Sequence, residues 1–198
     1  MRPLMEKAET GAEKLLFMDA SHFVHGCDFL GYVYGKTRRF IRTFSGRKRY
    51  NVLGAVDFVT KKMLTVTNES YITAAEVCEM LRLTAKEYAG ETVHVILDNA
   101  RYQKCRIVRE LAEELRIDLV YIPPYSPNLN LIERVWKFVK GELRTKYYDD
   151  FGAFRDRIDE IIQSTDKQNR VKISKPLGKE VQLFDGLIPV CQNTFTFS

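Results

Sequence analysis

Three short apolar runs constrain this chain more than any other feature: Leu15-Leu16-Phe17-Met18, Val93-His94-Val95-Ile96-Leu97 and Leu119-Val120-Tyr121-Ile122. Each adjoins a polar or proline-marked segment, at Asp19, Asp98 and Pro123-Pro124. Runs this short and this apolar suit central strands covered on both faces. Tyr50 to Val56 and Lys62 to Val66 read as two further strands, joined as a hairpin through Asp57-Phe58-Val59-Thr60-Lys61.

Helical patterns separate the later strands. Thr73 and Glu76 have capping-box spacing, and Val77, Met80, Leu81 and Tyr88 then recur at helical intervals. A second helix carries Ile107, Val108, Leu111, Ala112 and Leu115 on one face. A third follows Pro127, with Leu131, Ile132, Val135, Trp136, Val139 and Leu143 as its apolar stripe. A fourth starts near Asp149 or Asp150 and buries Phe151, Phe154, Ile158, Ile161 and Ile162. Strands first, then alternating helix and strand, argue an α/β fold: a mixed central β-sheet flanked by α-helices. The expected organisation is an N-terminal lead-in over 1–14, one domain over 15–165, and a C-terminal tail over 166–198 where the apolar pattern weakens.

A chain of 198 residues with 45% hydrophobic and 29% charged residues is long enough for one domain with a real core. No apolar run approaches the roughly 20 residues that span a bilayer, so no membrane association is expected. Met1 to Lys14 has no apolar signal-like segment, which points to the cytosol. Cys27, Cys78, Cys105 and Cys191 form no C-x-x-C pair and read as reduced, mostly buried thiols. The net charge of +5 permits nucleic-acid binding, and its distribution says more. Lys36, Arg38, Arg39, Arg42, Arg47, Lys48 and Arg49 follow one another with no acid among them, and Tyr34, Phe40, Phe44 and Tyr50 interleave or flank them. A solvated basic hairpin and a phosphate-binding surface both fit that run.

The acids carry the chemistry. Asp19 and Asp98 each follow an apolar run, so their carboxylates can converge at one edge of the sheet. Glu133 lies early in the third helix, and Lys137, Lys140 and Arg144 follow on its face at i+4, i+7 and i+11. Singly, each acid has a plainer role. Asp98-Asn99 makes an Asx turn, Asp19 caps a loop, and Glu133 pairs with Lys137 near a positive helix N-terminus. Together they form a hard-oxygen set suited to Mg²⁺. A rival metal site at His22, His25 and Cys27 offers only three ligands where structural zinc takes four. Asp57 also ends a strand, but reads more simply as a hairpin-turn residue, and Trp136 reads as a core contact. Asn99 and Ser126 are explained equally well by the site and by turn chemistry.

Leu97-Asp98-Asn99-Ala100 and the segment Pro123-Pro124-Tyr125-Ser126-Pro127-Asn128-Leu129-Asn130-Leu131-Ile132-Glu133 resemble the second and third catalytic motifs of DDE-type transposases of the mariner-like superfamily, and more closely those of its bacterial insertion-sequence relatives. Thirty-four residues stand between Asp98 and Glu133, a spacing characteristic of that family. Phe17-Met18-Asp19-Ala20 resembles the first motif, and Asn51-Val52-Leu53-Gly54-Ala55 the next strand. Two departures are visible: the family's first motif often reads Asp-Glu where Ala20 follows Asp19, and the second often has His where Gln103 stands.

The resemblance implies an RNase H-like fold in which Asp19, Asp98 and Glu133 are catalytic and hold two Mg²⁺ (or Mn²⁺) ions. The ions would clamp the attacking and leaving oxygens of an in-line displacement. A water would first cut double-stranded DNA at the transposon end, and the freed 3′-hydroxyl would then attack the target. The implied partners are transposon-end and target DNA, bound by the basic run and by Lys137, Lys140 and Arg144. Pairing two ends implies a homodimer, and the implied location is the bacterial cytosol or nucleoid. With about 14 residues before the first strand, the family's helix-turn-helix end-binding module is expected to be missing. Two other readings stay open: a degenerate nucleic-acid-binding transposase fragment, and another RNase H-like nuclease.

Overall fold

The computed structural model describes residues 2–26, 48–123, 130–144 and 146–165. Along them run α1 (Arg2–Glu9), β1 (Lys14–Val24), β2 (Arg49–Asp57), β3 (Met63–Asn68), α2 (Ala74–Glu87), β4 (Val93–Leu97), α3 (Arg106–Glu114), β5 (Ile117–Tyr121), α4 (Ile132–Leu143) and α5 (Phe151–Gln163). The strands form one mixed sheet in the order β3-β2-β1-β4-β5. The β1-β2-β3 meander is antiparallel, whereas β1, β4 and β5 run parallel. Among the described residues no helix is long and apolar enough to cross a membrane.

Strand alternation divides the core in two. Leu15, Phe17, Phe23, Val52, Val56 and Ile96 pack with α1, α4 and α5 on one face. Leu16, Met18, Leu53, Ala55, Val95 and Leu97 pack with α2 and α3 on the other. Each of the Val, Leu, Ile, Phe and Met side chains among them, fully buried, stabilises the fold by about 1.5–3 kcal/mol. The expected α/β arrangement of a mixed sheet between helices is the one observed. Thr73 caps α2 as its spacing predicts: Thr73 Oγ1 accepts from Ala75 N–H at 3.2 Å, and Glu76 Oε2 accepts from Thr73 N–H at 2.7 Å. Asp150 caps α5, accepting from Gly152 N–H at 2.6 Å and Ala153 N–H at 3.2 Å.

Two local expectations change, and the lead-in gains an element. The lead-in contains α1, whose Ala8 is buried and whose Leu4 and Met5 pack on the α4–α5 side. Asp19 does not follow its strand but lies inside it, because β2 stays paired with β1 as far as Val24↔Arg49. Ile107 is 63% exposed. It sits one residue, about 100° of helix rotation, before Val108 and so falls off the stripe that Val108 and Ala112 bury.

Asp57 is a turn residue, as read. It is 2% exposed, and its Oδ1 accepts from Val59 N–H at 2.8 Å and Thr60 N–H at 2.7 Å. Its Oδ2 accepts from the Tyr88 hydroxyl at 3.1 Å. Asp57→Ala strands these donors in the interior and is expected to destabilise the protein by about 3 kcal/mol. Urea unfolding measures this, and a loss under about 0.5 kcal/mol, the range of ordinary surface substitutions, would remove the structural role.

Candidate active site

Register brings the first two acids together. Parallel pairing of β1 with β4 ends at Phe17↔Ile96, and both of those side chains face the α4–α5 core. Two residues further along each chain come Asp19 and Asp98, on that same face by alternation. There β4 stops while β1 continues, so Asp19 looks out over the open end of its neighbour. The Asp98 side chain makes the Asx turn, with Oδ1 accepting from Ala100 N–H at 3.1 Å. Asn99 is structural as well, its amide donating to the Ile122 carbonyl and tying the loop after β4 to the end of β5.

Glu133 arrives from α4. Asn130 is 4% exposed, and its Nδ2 donates to the carbonyl of Met18, the residue before Asp19, at 3.2 Å. The Asn130 carbonyl in turn accepts from Glu133 N–H at 3.2 Å. The first turn of α4 is thereby anchored beside Asp19. Buried Ile132, Val135, Trp136, Val139 and Leu143 hold the rest of the helix down. A cleft of about 430 Å³ opens between β1 and α4, lined by Asp19, Glu133, Trp136, Lys137, Lys140 and Arg144 among others. Lys137 and Lys140 of α4 and its C-cap residue Arg144 therefore share the cleft with two of the acids. Lys140 Nζ also lies 5.7 Å from the centroid of the Phe23 ring.

The electrostatics agree with convergence. Burial, then the negative charges of Asp98 and Glu133, push Asp19 up to about 7, opposed by the Ala20 amide and the Trp136 indole. Glu133 is exposed as a residue, yet lost hydration around its carboxyl and then Asp98 raise it too. Among the described ion pairs none neutralises these acids. Nor, as they stand, do any three described His, Cys, Asp or Glu side chains crowd closely enough to chelate one ion. Hard carboxylate oxygens that repel one another without a cation are the donor set that fits a divalent metal.

Other predicted residues go elsewhere. Arg49 pairs with Val24, five residues along β1 from Asp19 and so about 16 Å away. Lys48 sits 5.6 Å from the Phe151 ring centroid, also away from the acids. Lys36, Arg38, Arg39, Arg42 and Arg47 lie outside the described residues, as do Cys27 and Ser126. The rival histidines have separate partners: His22, which also lines the cleft, bonds Asn51 Oδ1 through Nδ1 at 2.7 Å, and His25 Nε2 bonds the Tyr148 carbonyl at 2.8 Å. Cys78 and Cys105 are free thiols, the first buried and the second half-buried.

Sequence reasoning missed one neighbour of the site. The Tyr102 phenol is pushed up to about 12 by burial, then by the nearby negative charges of Asp98 and Asp19. Its place four residues after Asp98, in the same loop, was the available signal. Gln103 beside it is fully buried, and its amide has no hydrogen-bond partner among the described residues.

The chain is similar to known proteins in both sequence and fold. An uncharacterized 39 kDa protein of insertion element IS630 from Shigella sonnei is 30% identical over 104 residues, 52% of this chain and 30% of that protein. A Mos1 transposase paired-end complex with the left transposon end superposes with a TM-score of 0.60 at 15% identity, covering 89% of this chain and 58% of that one. The HTLV-2 integrase catalytic core domain in complex with magnesium matches at a TM-score of 0.52 and 14% identity, over 77% of this chain and 85% of that one. This chain thus spans under a third of the insertion-element protein and somewhat over half of the transposase. The structural likenesses bear out the fold, the RNase H-like fold of transposase and integrase catalytic cores. The family model described as DDE superfamily endonuclease matches residues 14–155, which hold β1 through the start of α5 and all three acids. Over that span the chain belongs to the DDE superfamily endonucleases.

Proposed function

We propose that this chain is the catalytic domain of a transposase, cutting double-stranded DNA at transposon ends and joining the freed 3′-hydroxyl to target DNA. The observation that carries this reading is the convergence of Asp19, Asp98 and Glu133 on one face of the sheet, beside the basic side of α4. Asp19, Asp98 and Glu133 are the ligands of two Mg²⁺ or Mn²⁺ ions. Once bound, the cations supply Lewis-acid stabilisation of the attacking and leaving oxygens of a phosphodiester displacement. Lys137, Lys140 and Arg144 seat the DNA backbone along the cleft, so that the scissile phosphate meets the acids at the N-terminal end of α4. The mutual repulsion of the carboxylates keeps the site poised for cations. A homodimer assembled on two DNA ends completes the working unit, which acts in the cytosol.

The test is cleavage and strand transfer on DNA carrying the element's own ends, with Mg²⁺ or Mn²⁺. Metal-dependent nicking followed by joined product is expected. Nicking of RNA–DNA hybrids without joining would instead favour another RNase H-like nuclease, and DNA binding with no cleavage in either metal a degenerate fragment.

The basic face makes its own prediction. Lys137→Ala with Lys140→Ala should remove about two phosphate contacts and lower the slope of log affinity against log salt by about 2. Fluorescence anisotropy across a salt series measures it. An unchanged slope would take α4 out of the DNA interface.

A further inference from the structure

Trp136 packs as a core residue, but one edge of it does not behave as one. The residue is 4% exposed, and its ring meets Phe23 edge-on with centroids 6.2 Å apart. The outer edge of the indole closes on Gly54: a Cβ there would stand 2.6 Å from Trp136 Cη2 and 2.8 Å from Cζ2. Gly54 is the cross-strand partner of Asp19. The missing side chain at 54 therefore lets the indole reach the strand position beside the carboxylate. Its Nε1–H is buried with no hydrogen-bond partner among the described residues. That N–H lies close enough to Asp19 to favour the charged carboxylate, yet short of hydrogen-bond geometry. An unpaired buried donor is costly, so one retained beside an acid calls for an explanation.

We propose that Trp136 is a positioning residue for Asp19: its indole N–H, seated on Gly54, takes one carboxylate oxygen and leaves the other turned to the cation. The proposal rests on the metal-carboxylate reading above. The indole keeps its proton throughout. It narrows the orientations open to Asp19, as hydrogen-bond partners behind metal ligands generally do.

Mn²⁺ titrated into the metal-free protein, with free Mn²⁺ followed by its paramagnetic resonance signal, tests this without any activity assay. Trp136→Phe removes the donor edge together with the outer ring atoms that lie on Gly54. It is expected to bind Mn²⁺ about tenfold more weakly. Thermal unfolding in EDTA, recorded alongside, separates a weakened Mn²⁺ site in a folded protein from a loss of fold. Gly54→Ala pushes the indole off its seat and should weaken Mn²⁺ binding to a similar degree. The double variant should lose little more than the worse single, since both act through one contact. A folded Trp136→Phe protein with wild-type Mn²⁺ affinity would overturn the proposal while leaving the metal site intact. Should Trp136→Phe not fold, Gly54→Ala decides: weaker Mn²⁺ binding supports the proposal and unchanged binding overturns it. A wild-type protein that binds no Mn²⁺ would overturn the metal reading, and this proposal with it.

Discussion

Asp98→Asn should reduce metal-dependent DNA cleavage by at least about 10³-fold, roughly 4 kcal/mol of transition-state stabilisation, with little change in thermal stability. The substitution is informative because it separates the two roles of the residue. Asp98 Oδ1 accepts from Ala100 N–H at 3.1 Å, and an Asn side chain keeps an oxygen for that bond. The turn after β4 therefore survives. The other oxygen becomes an NH₂ group, which cannot coordinate a cation and carries no charge to repel Asp19 or Glu133. Single-turnover cleavage at saturating Mn²⁺ measures the effect, with thermal unfolding alongside. Residual cleavage within tenfold of wild type would make Asp98 a turn residue and no more.

The second large effect is on stability and has the opposite sign. Asp19 is held at about 7, against 3.8 for a free aspartate, because burial and two neighbouring carboxylates penalise its charge. A carboxyl raised in the folded state binds its proton more tightly there than in the unfolded chain. Its contribution to stability is therefore fully present below about pH 4 and is lost as pH rises through about 7. At pH 8 in EDTA, Asp19→Asn removes that penalty and should stabilise the protein by about 2 kcal/mol, raising the melting temperature by several degrees. At pH 4 the gain should disappear. Adding Mn²⁺ at pH 8 should stabilise wild type by ligand linkage and leave Asp19→Asn nearly unmoved. Calorimetry at the two pH values, with and without metal, gives all four numbers. A variant less stable than wild type at pH 8 would mean that Asp19 makes a favourable contact outweighing its repulsion.

Strand and helix placement was legible because the helices carry an apolar stripe at their own period and the central strands are short apolar runs. The run Leu15 to Met18 announces a strand covered on both sides, and the core receives its residues alternately. Where β1 ends was not legible. Beyond Met18 the residues turn more polar, and pairing with β2 alone carries the strand on to Val24. Ile107 misled for a related reason: an apolar residue one position off a helical stripe looks the same in sequence as one on it. The acids and the basic face of α4 were readable from motif and spacing. The seat at Gly54 was not, since it depends on cross-strand register and on which face of α4 meets β2. No local pattern encodes that meeting, so Trp136 read only as core.

Asp19, Asp98 and Glu133 are proposed to serve one metal centre. The most direct test is diffraction from crystals of the protein grown or soaked in Mn²⁺, recorded at a wavelength where manganese scatters anomalously. Anomalous density between the carboxylates of Asp19, Asp98 and Glu133, lost in crystals of Asp98→Asn, is the expected result. Manganese bound elsewhere on the protein, with these three carboxylates left bare, would contradict it.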